Sequence, residues 1–242
     1  MPLNDRLVSP SPRVLVAIPG TGSDGDHIGR AFGPAATWLG VELIALEPEN
    51  DLVAGYLRRL DQLSATAGRL LVGGVSIGAA IALEWALKAS AEKCAGVLGA
   101  LPAWCGVPSS APAAHSALAT AESLRTAGLD ATVATMAASS PTWLAEELSR
   151  SWRALSGGLE AQLRAAAAYT APEAEALTTL EVPLAITAAT DDPVHPIDVA
   201  RRWCSAAPRA RLVEVTLTEW GEHPAILGNG CARAYAQMLT AD

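Results

Sequence analysis

Apolar residues in this chain fall into short unbroken runs separated by longer stretches with helical spacing. Arg13-Val14-Leu15-Val16-Ala17-Ile18 is apolar at every position after the arginine and stops at Pro19-Gly20. Similar runs recur at Val41–Leu46, Leu70–Val75, Ala95–Leu101, Leu184–Ala189 and Arg211–Leu217. A strand with one wet face alternates apolar and polar residues. Continuous runs with β-branched content instead predict strands covered on both faces.

Between the runs the spacing changes. Leu52–Leu63 is apolar at 52, 53, 56, 57, 60 and 63, which is one face of a helix. Ile77–Leu87 is apolar almost all round, so this helix should be buried against the sheet. Ile197–Ala206 and Ala225–Leu239 are two more helices. Strand–helix alternation predicts an α/β fold with a mostly parallel sheet of about six strands and helices on both faces. Residues 105–180 break the rhythm. Ser140-Pro141 reads as an N-cap followed by N1, and Leu144, Leu148, Trp152 and Leu155 then share a face. Ala111–Ala127 and Leu159–Ala168 are further helices. This stretch is read as a helical lid inserted after the fourth predicted strand. The core is then 1–104 and 181–242, a single domain overall, because no linker marks the ends of the lid.

Half the residues are hydrophobic and 17% are charged, which excludes a disordered chain. With 17 basic against 25 acidic residues and a net charge of −8, nucleic acid is not an expected partner. No run reaches the roughly 18 apolar residues of a membrane span. The segment MPLNDRLVSPSPR has no apolar leader core, so the expected location is cytoplasmic. Cys94, Cys105, Cys204 and Cys231 form no C-x-x-C pair and lie at no zinc-ligand spacing to a histidine. They are read as reduced thiols, with no metal expected.

The strongest chemical signal is Gly74-Val75-Ser76-Ile77-Gly78 between a strand and a helix. A G-x-S-x-G there is a nucleophile elbow. The tight turn leaves no room for side chains at the flanking positions, and it exposes Ser76 at the end of the sheet beside the Ile77 amide. A serine needs a base oriented by an acid. His223 follows the last strand and fits the order Ser…Asp…His, so it is the expected base. His195 reads as a loop or rim residue, since the acid belongs on its loop. Asp191 and Asp192 both qualify as the acid. The loop Pro19-Gly20-Thr21-Gly22-Ser23-Asp24-Gly25-Asp26-His27 should supply a second oxyanion donor, the Thr21 amide first and Gly22 next. Ser23, Asp24 and Asp26 should organise the loop and cap the next helix. Gly22, Trp104 and Trp143 are candidates for the pocket wall, with Trp152 also in the lid. The same loop is a literal G-x-G-x-x-G (Gly20, Gly22, Gly25), with Glu47 placed as a ribose ligand would be. A dinucleotide-binding oxidoreductase is therefore a rival reading, but it leaves Ser76, Asp192 and His223 without a role.

With Pro-Gly after the first strand, the elbow, Asp192-Pro193-Val194-x-Pro196 and a late histidine, the chain resembles the α/β-hydrolase family over about 13–101 and 182–240. It looks most like the compact esterases, lipases and cofactor-free haloperoxidase-like members. The resemblance selects Asp192 over Asp191. It implies Ser76 as nucleophile, Asp192 as acid and His223 as base, with Thr21 and Ile77 forming the oxyanion hole. It also implies no cofactor and a small-molecule acyl substrate, here expected to be apolar and modest in size. Three features depart from the family. Pro19-Gly20 replaces its usual His-Gly, Glu222-His223-Pro224 replaces Gly-His, and the N-terminal antiparallel pair is missing, so that six strands are expected rather than eight. A scaffold that binds a small molecule without catalysis is the alternative of another class.

Overall fold

The computed structural model describes residues 11–240. One parallel sheet of six strands forms the centre: β1 (Val14–Ile18), β2 (Glu42–Ala45), β3 (Leu70–Val75), β4 (Cys94–Ala100), β5 (Leu184–Ala189) and β6 (Ala210–Val215), in the spatial order β2-β1-β3-β4-β5-β6. Every residue of β1, β3, β4 and β5 is buried, which is why these strands read as unbroken apolar runs. The edge strands β2 and β6 are only partly covered.

Successive side chains point to opposite faces. Val14, Val16 and Ile18 join one core, and Leu15 and Ala17 join the other. Helices α1 (Gly25–Leu39) and α9 (Ala225–Leu239) cover the second face. Helices α2 (Leu52–Ala67), α3 (Ile77–Lys88) and α7 (Ile197–Ala206) cover the first. Asp24 caps α1 by accepting from the His27 amide at 3.1 Å, and Gly40 ends it in the left-handed region.

Between β4 and β5 lie α4 (Pro112–Ala138), α5 (Thr142–Ala154), α6 (Leu159–Ala167) and a 3-10 turn (Ala174–Thr179). The sequence stops the first of these at Ala127, but the helical path resumes past Gly128. That residue (φ 81°, ψ 173°) bends α4 into two arms. The Ser123 and Thr132 hydroxyls meet across the bend at 2.9 Å. The second helix starts one residue later than the spacing predicts: Pro141 is extended (ψ 150°) and stands at the N-cap instead of N1. The last predicted strand also ran too far. Thr216 leaves the sheet to cap a short helix, α8 (Leu217–Glu222), through a reciprocal pairing with Glu219.

Because all the strands are parallel, their C-terminal ends share one edge of the sheet. The β1–α1 loop, Ser76, Leu101 and the loop 190–196 therefore lie side by side, at the place where open α/β sheets bind ligands.

Candidate active site

Ser76 joins β3 to α3 in a conformation that L-residues rarely adopt (φ 56°, ψ −118°). Its amide donates to Ala100 O at 2.9 Å and its carbonyl accepts from the Ala80 amide at 3.2 Å, so the backbone on both sides is fixed. The flanking glycines are dictated by packing. A Cβ on Gly74 would stand 2.5 Å from Ile18 O, and one on Gly78 would collide with the same carbonyl. The end of β1 thus presses directly on the turn.

The partners of Ser76 come from one loop. Asp192 is 8% exposed. Its Oδ1 accepts from the amides of Val194 (2.8 Å) and His195 (3.1 Å), which closes the turn. Its Oδ2 lies 2.8 Å from His195 Nδ1, and His195 Nε2 lies 3.1 Å from Ser76 Oγ. Burial alone would raise the Asp192 pKa, but the His195 ring and the two amides hold the carboxyl below the usual carboxylate range. An ionised Asp192 fixes the tautomer in which Nδ1 carries the proton and Nε2 faces Ser76 as an acceptor.

The histidine beside Ser76 is therefore His195 and not His223, which the sequence points to. His223 is exposed at the C-terminal end of α8, where its amide bonds Glu219 O. Among the described residues its ring makes no hydrogen bond to Ser76 or Asp192, and it does not line the cavity above Ser76. The chain turns too early, because the capped helix α8 takes up the residues between β6 and His223. Asp191, the other candidate acid, accepts from the Leu217 amide at 2.6 Å and so anchors the start of α8.

Ile77 is the first residue of α3, so its amide has no acceptor within the helix. Thr21 lines the cavity. Gly20 passes close beside the nucleophile: a Cβ placed on it would be 3.6 Å from the Ser76 Cβ. Gly22 departs from expectation. It is buried behind the wall, and its carbonyl accepts from Ser151 Oγ. Trp104 and Trp143 do line the cavity, with Trp152 and Trp220. Trp104 donates to Tyr169 O at 3.1 Å, and the rings of Trp143 and Trp220 meet edge to face at 5.1 Å.

The cavity over Ser76 has a volume of about 990 Å³ and is walled on its far side by α4 and α5. Two arginines face it, and both are already engaged. Arg30 pairs with Asp26 and Glu147, and Arg150 with Asp24 and Glu147. Glu146 and Glu222 also line it, and among the described residues neither has an ionic partner. The N-terminus of α1 is likewise taken. The Gly25 amide donates to Glu47 at 3.1 Å and the His27 amide to Asp24, so carboxylates stand where a pyrophosphate would need amides. No group of three or more His, Cys, Asp or Glu among the described residues is placed to hold a metal ion, and no helix among them is long and apolar enough to cross a membrane.

Residues 2–228 match the model of the alpha/beta hydrolase family, and the chain belongs to that family. A comparison with curated proteins found no significant match. Among solved structures, a carboxylesterase of the thaumarchaeon Nitrososphaera gargenis is similar over 94% of this chain and 89% of its own (15% identity, TM-score 0.70). The enol-lactonase of Burkholderia xenovorans is similar over 96% and 93% (17% identity, TM-score 0.66). A thermophilic esterase of Thermogutta terrifontis is similar over 94% and 89% (16% identity, TM-score 0.67). At these identities the likeness is one of fold.

Sequence reasoning missed His195. The signal was present: Asp192-x-x-His195 spans one turn, which brings the carboxylate and the imidazole together.

Proposed function

We propose that the protein is a serine hydrolase that cleaves a carboxylic ester or a related acyl bond through an acyl-enzyme. The observation that carries this reading is the continuous contact from Asp192 through His195 to Ser76, with spacings of 2.8 and 3.1 Å, at an elbow where Ser76 holds a positive φ. His195 takes the proton from Ser76 Oγ as it attacks the carbonyl. Asp192 holds the imidazole tautomer and stabilises the imidazolium. The negative oxygen of the tetrahedral intermediate rests on the amides of Thr21 and Ile77, at the positive end of α3. His195 then returns the proton to the leaving alcohol and activates the water that releases the acid.

The tryptophans and the absence of an uncommitted arginine among the described residues lining the cavity favour a neutral, largely apolar substrate. The fold relatives named an esterase, a carboxylesterase and an enol-lactonase are compatible with acyl chemistry of this kind. The inserted helices act as the lid that bounds the pocket.

The test is labelling with a fluorophosphonate probe, on wild type and Ser76→Ala, followed by neutral nitrophenyl esters of rising chain length. Labelling that vanishes in the variant, with ester turnover in the wild type, supports the reading. A folded wild type that is neither labelled nor active would leave the catalysis-free binding scaffold as the better account.

A further inference from the structure

Three consecutive residues of α5 grip the loop that carries Thr21. Ser151, fully buried, donates from Oγ to Gly22 O at 2.8 Å. Trp152 packs against Gly22: a Cβ there would be 2.8 Å from its Nε1, and Gly22 has φ 72°, so only glycine fits. Arg150 makes two bonds to Asp24, at 2.7 and 2.8 Å, while Asp24 caps α1.

The position gripped matters because of the geometry of a planar trans peptide. The Thr21 N–H points opposite to the Gly20 C=O in the same unit. That C=O is held by the Ser23 amide at 3.1 Å. Ser23 sits between Gly22 and Asp24, the two residues that α5 holds. The aim of the Thr21 N–H is therefore set through Gly20 and Ser23 by a helix well over a hundred residues away in sequence.

We infer that Arg150, Ser151 and Trp152 are positioning residues for the oxyanion donor, so that α5 belongs to the catalytic apparatus and is not a detachable cover. This rests on the hydrolase reading above. A consequence is that α5 cannot lift from the core without relaxing the Thr21 loop.

The test compares wild type with Ser151→Ala, Ser151→Thr and Arg150→Gln. Arg153→Gln serves as a control on the same helix, because it loses only an exposed pair with Asp130. Three quantities are read: kcat and KM on a neutral nitrophenyl ester, the affinity of an alkyl boronic acid that becomes tetrahedral on Ser76, and hydrogen exchange at the amides of residues 20–24. Ser151→Ala should lower kcat by roughly 10- to 100-fold, with KM changed by no more than about twofold. It should weaken boronate binding by a similar factor and speed exchange in the loop. Arg150→Gln should do the same to a smaller degree, Ser151→Thr should restore much of kcat, and Arg153→Gln should behave as wild type. Faster exchange with unchanged kcat and boronate affinity would make the grip structural only and overturn the inference, as would unchanged exchange. Absence of turnover by the wild type is a different failure, one that removes the hydrolase reading itself.

Discussion

Asp192 and His195, three residues apart in one loop, meet at 2.8 Å through Oδ2 and Nδ1, so a single turn of chain brings both a carboxylate and an imidazole to face Ser76. The pair is set locally: the same carboxylate accepts the His195 amide as well as its ring. Its alignment with Ser76 is set by the β3–β4 and β4–β5 registers, which bring the loop to the same end of the sheet as the elbow.

The first prediction follows from that placement. His195→Ala should lower kcat by roughly four orders of magnitude or more. His223→Ala, on an exposed residue that does not line the cavity, should stay within roughly threefold of wild type. Steady-state kinetics on one neutral ester decides between them. The reverse pattern would reinstate His223 as the base.

Asp192→Asn separates orientation from charge. The amide oxygen can still accept from Val194 and His195 N–H, so the turn should survive and the melting temperature should change little. An amide cannot hold the imidazole in the productive tautomer, and kcat should fall by about 10⁴. Retained folding by circular dichroism with lost turnover is the expected result; comparable losses of both would mean that Asp192 is chiefly structural.

Much of the fold could be read from the chain because the sheet is covered twice. Val14–Ile18, Leu70–Val75 and Leu184–Ala189 have no wet face, and their unbroken apolar runs mark them to within a residue of their observed ends. The elbow was legible for a related reason: Gly74 and Gly78 are forced by the approach of Ile18, and that constraint is written in residue types. What failed depends on distance or on local competition. Chain order separates acid from base only when they sit on different loops, so it pointed past His195 to His223. The Thr216–Glu219 box diverts the chain into α8 at a point where the apolar pattern continues the strand to Leu217. The hold of Ser151 on Gly22 spans 129 residues and leaves no periodic trace.

The elbow and an open helix position make opposite predictions for glycine replacement. Gly78→Ala drives a methyl group into the Ile18 carbonyl, and backbone there has no room to yield. It should cost about 3 kcal/mol or more, or prevent folding. Gly29→Ala, inside α1 with nothing within 4 Å of the new carbon, should instead stabilise by roughly 0.5–1 kcal/mol. Urea unfolding of both variants measures the contrast.

Stability should fall with acidity in two stages. His27 is 7% exposed, and burial pushes its pKa below the ordinary value, more than the attraction of Glu147 and Asp24 raises it; Arg30 and Arg150 push the same way as burial. A histidine with a lowered folded pKa is bound by more protons when unfolded, so its contribution is complete above about 6.5 and is lost as pH falls below that. Asp24 and Asp192 are also lowered. Burial opposes this for both, but Arg150 and the His27 amide prevail at Asp24, and the His195 ring and loop amides prevail at Asp192. Their contribution is present above about 4 and disappears as pH drops through their folded values. Melting curves from pH 7 to pH 5 should show the first decline, and His27→Asn should flatten it. A decline that persists unchanged in that variant would assign it to other groups.

The charges around the cavity decide what can approach Ser76. Arg30 carries two carboxylate partners and Arg150 three, so an anionic substrate at either guanidinium competes with ion pairs that help hold α5 to the core. Glu146 and Glu222 add negative charge that is not paired among the described residues. A carboxylate or phosphate on the substrate therefore meets repulsion with nothing to offset it, whereas a neutral chain can lie against Trp104, Trp143 and Trp152. Between a neutral ester and the same ester bearing a terminal carboxylate, kcat/KM should differ by roughly tenfold or more at low ionic strength. The gap should narrow in about 0.5 M salt, where screening shortens the reach of Glu146 and Glu222. Glu222→Gln, outside the Ser76–His195–Asp192 contact, should narrow it as well. Equal rates for the two esters would show that the substrate enters along a path these carboxylates do not face.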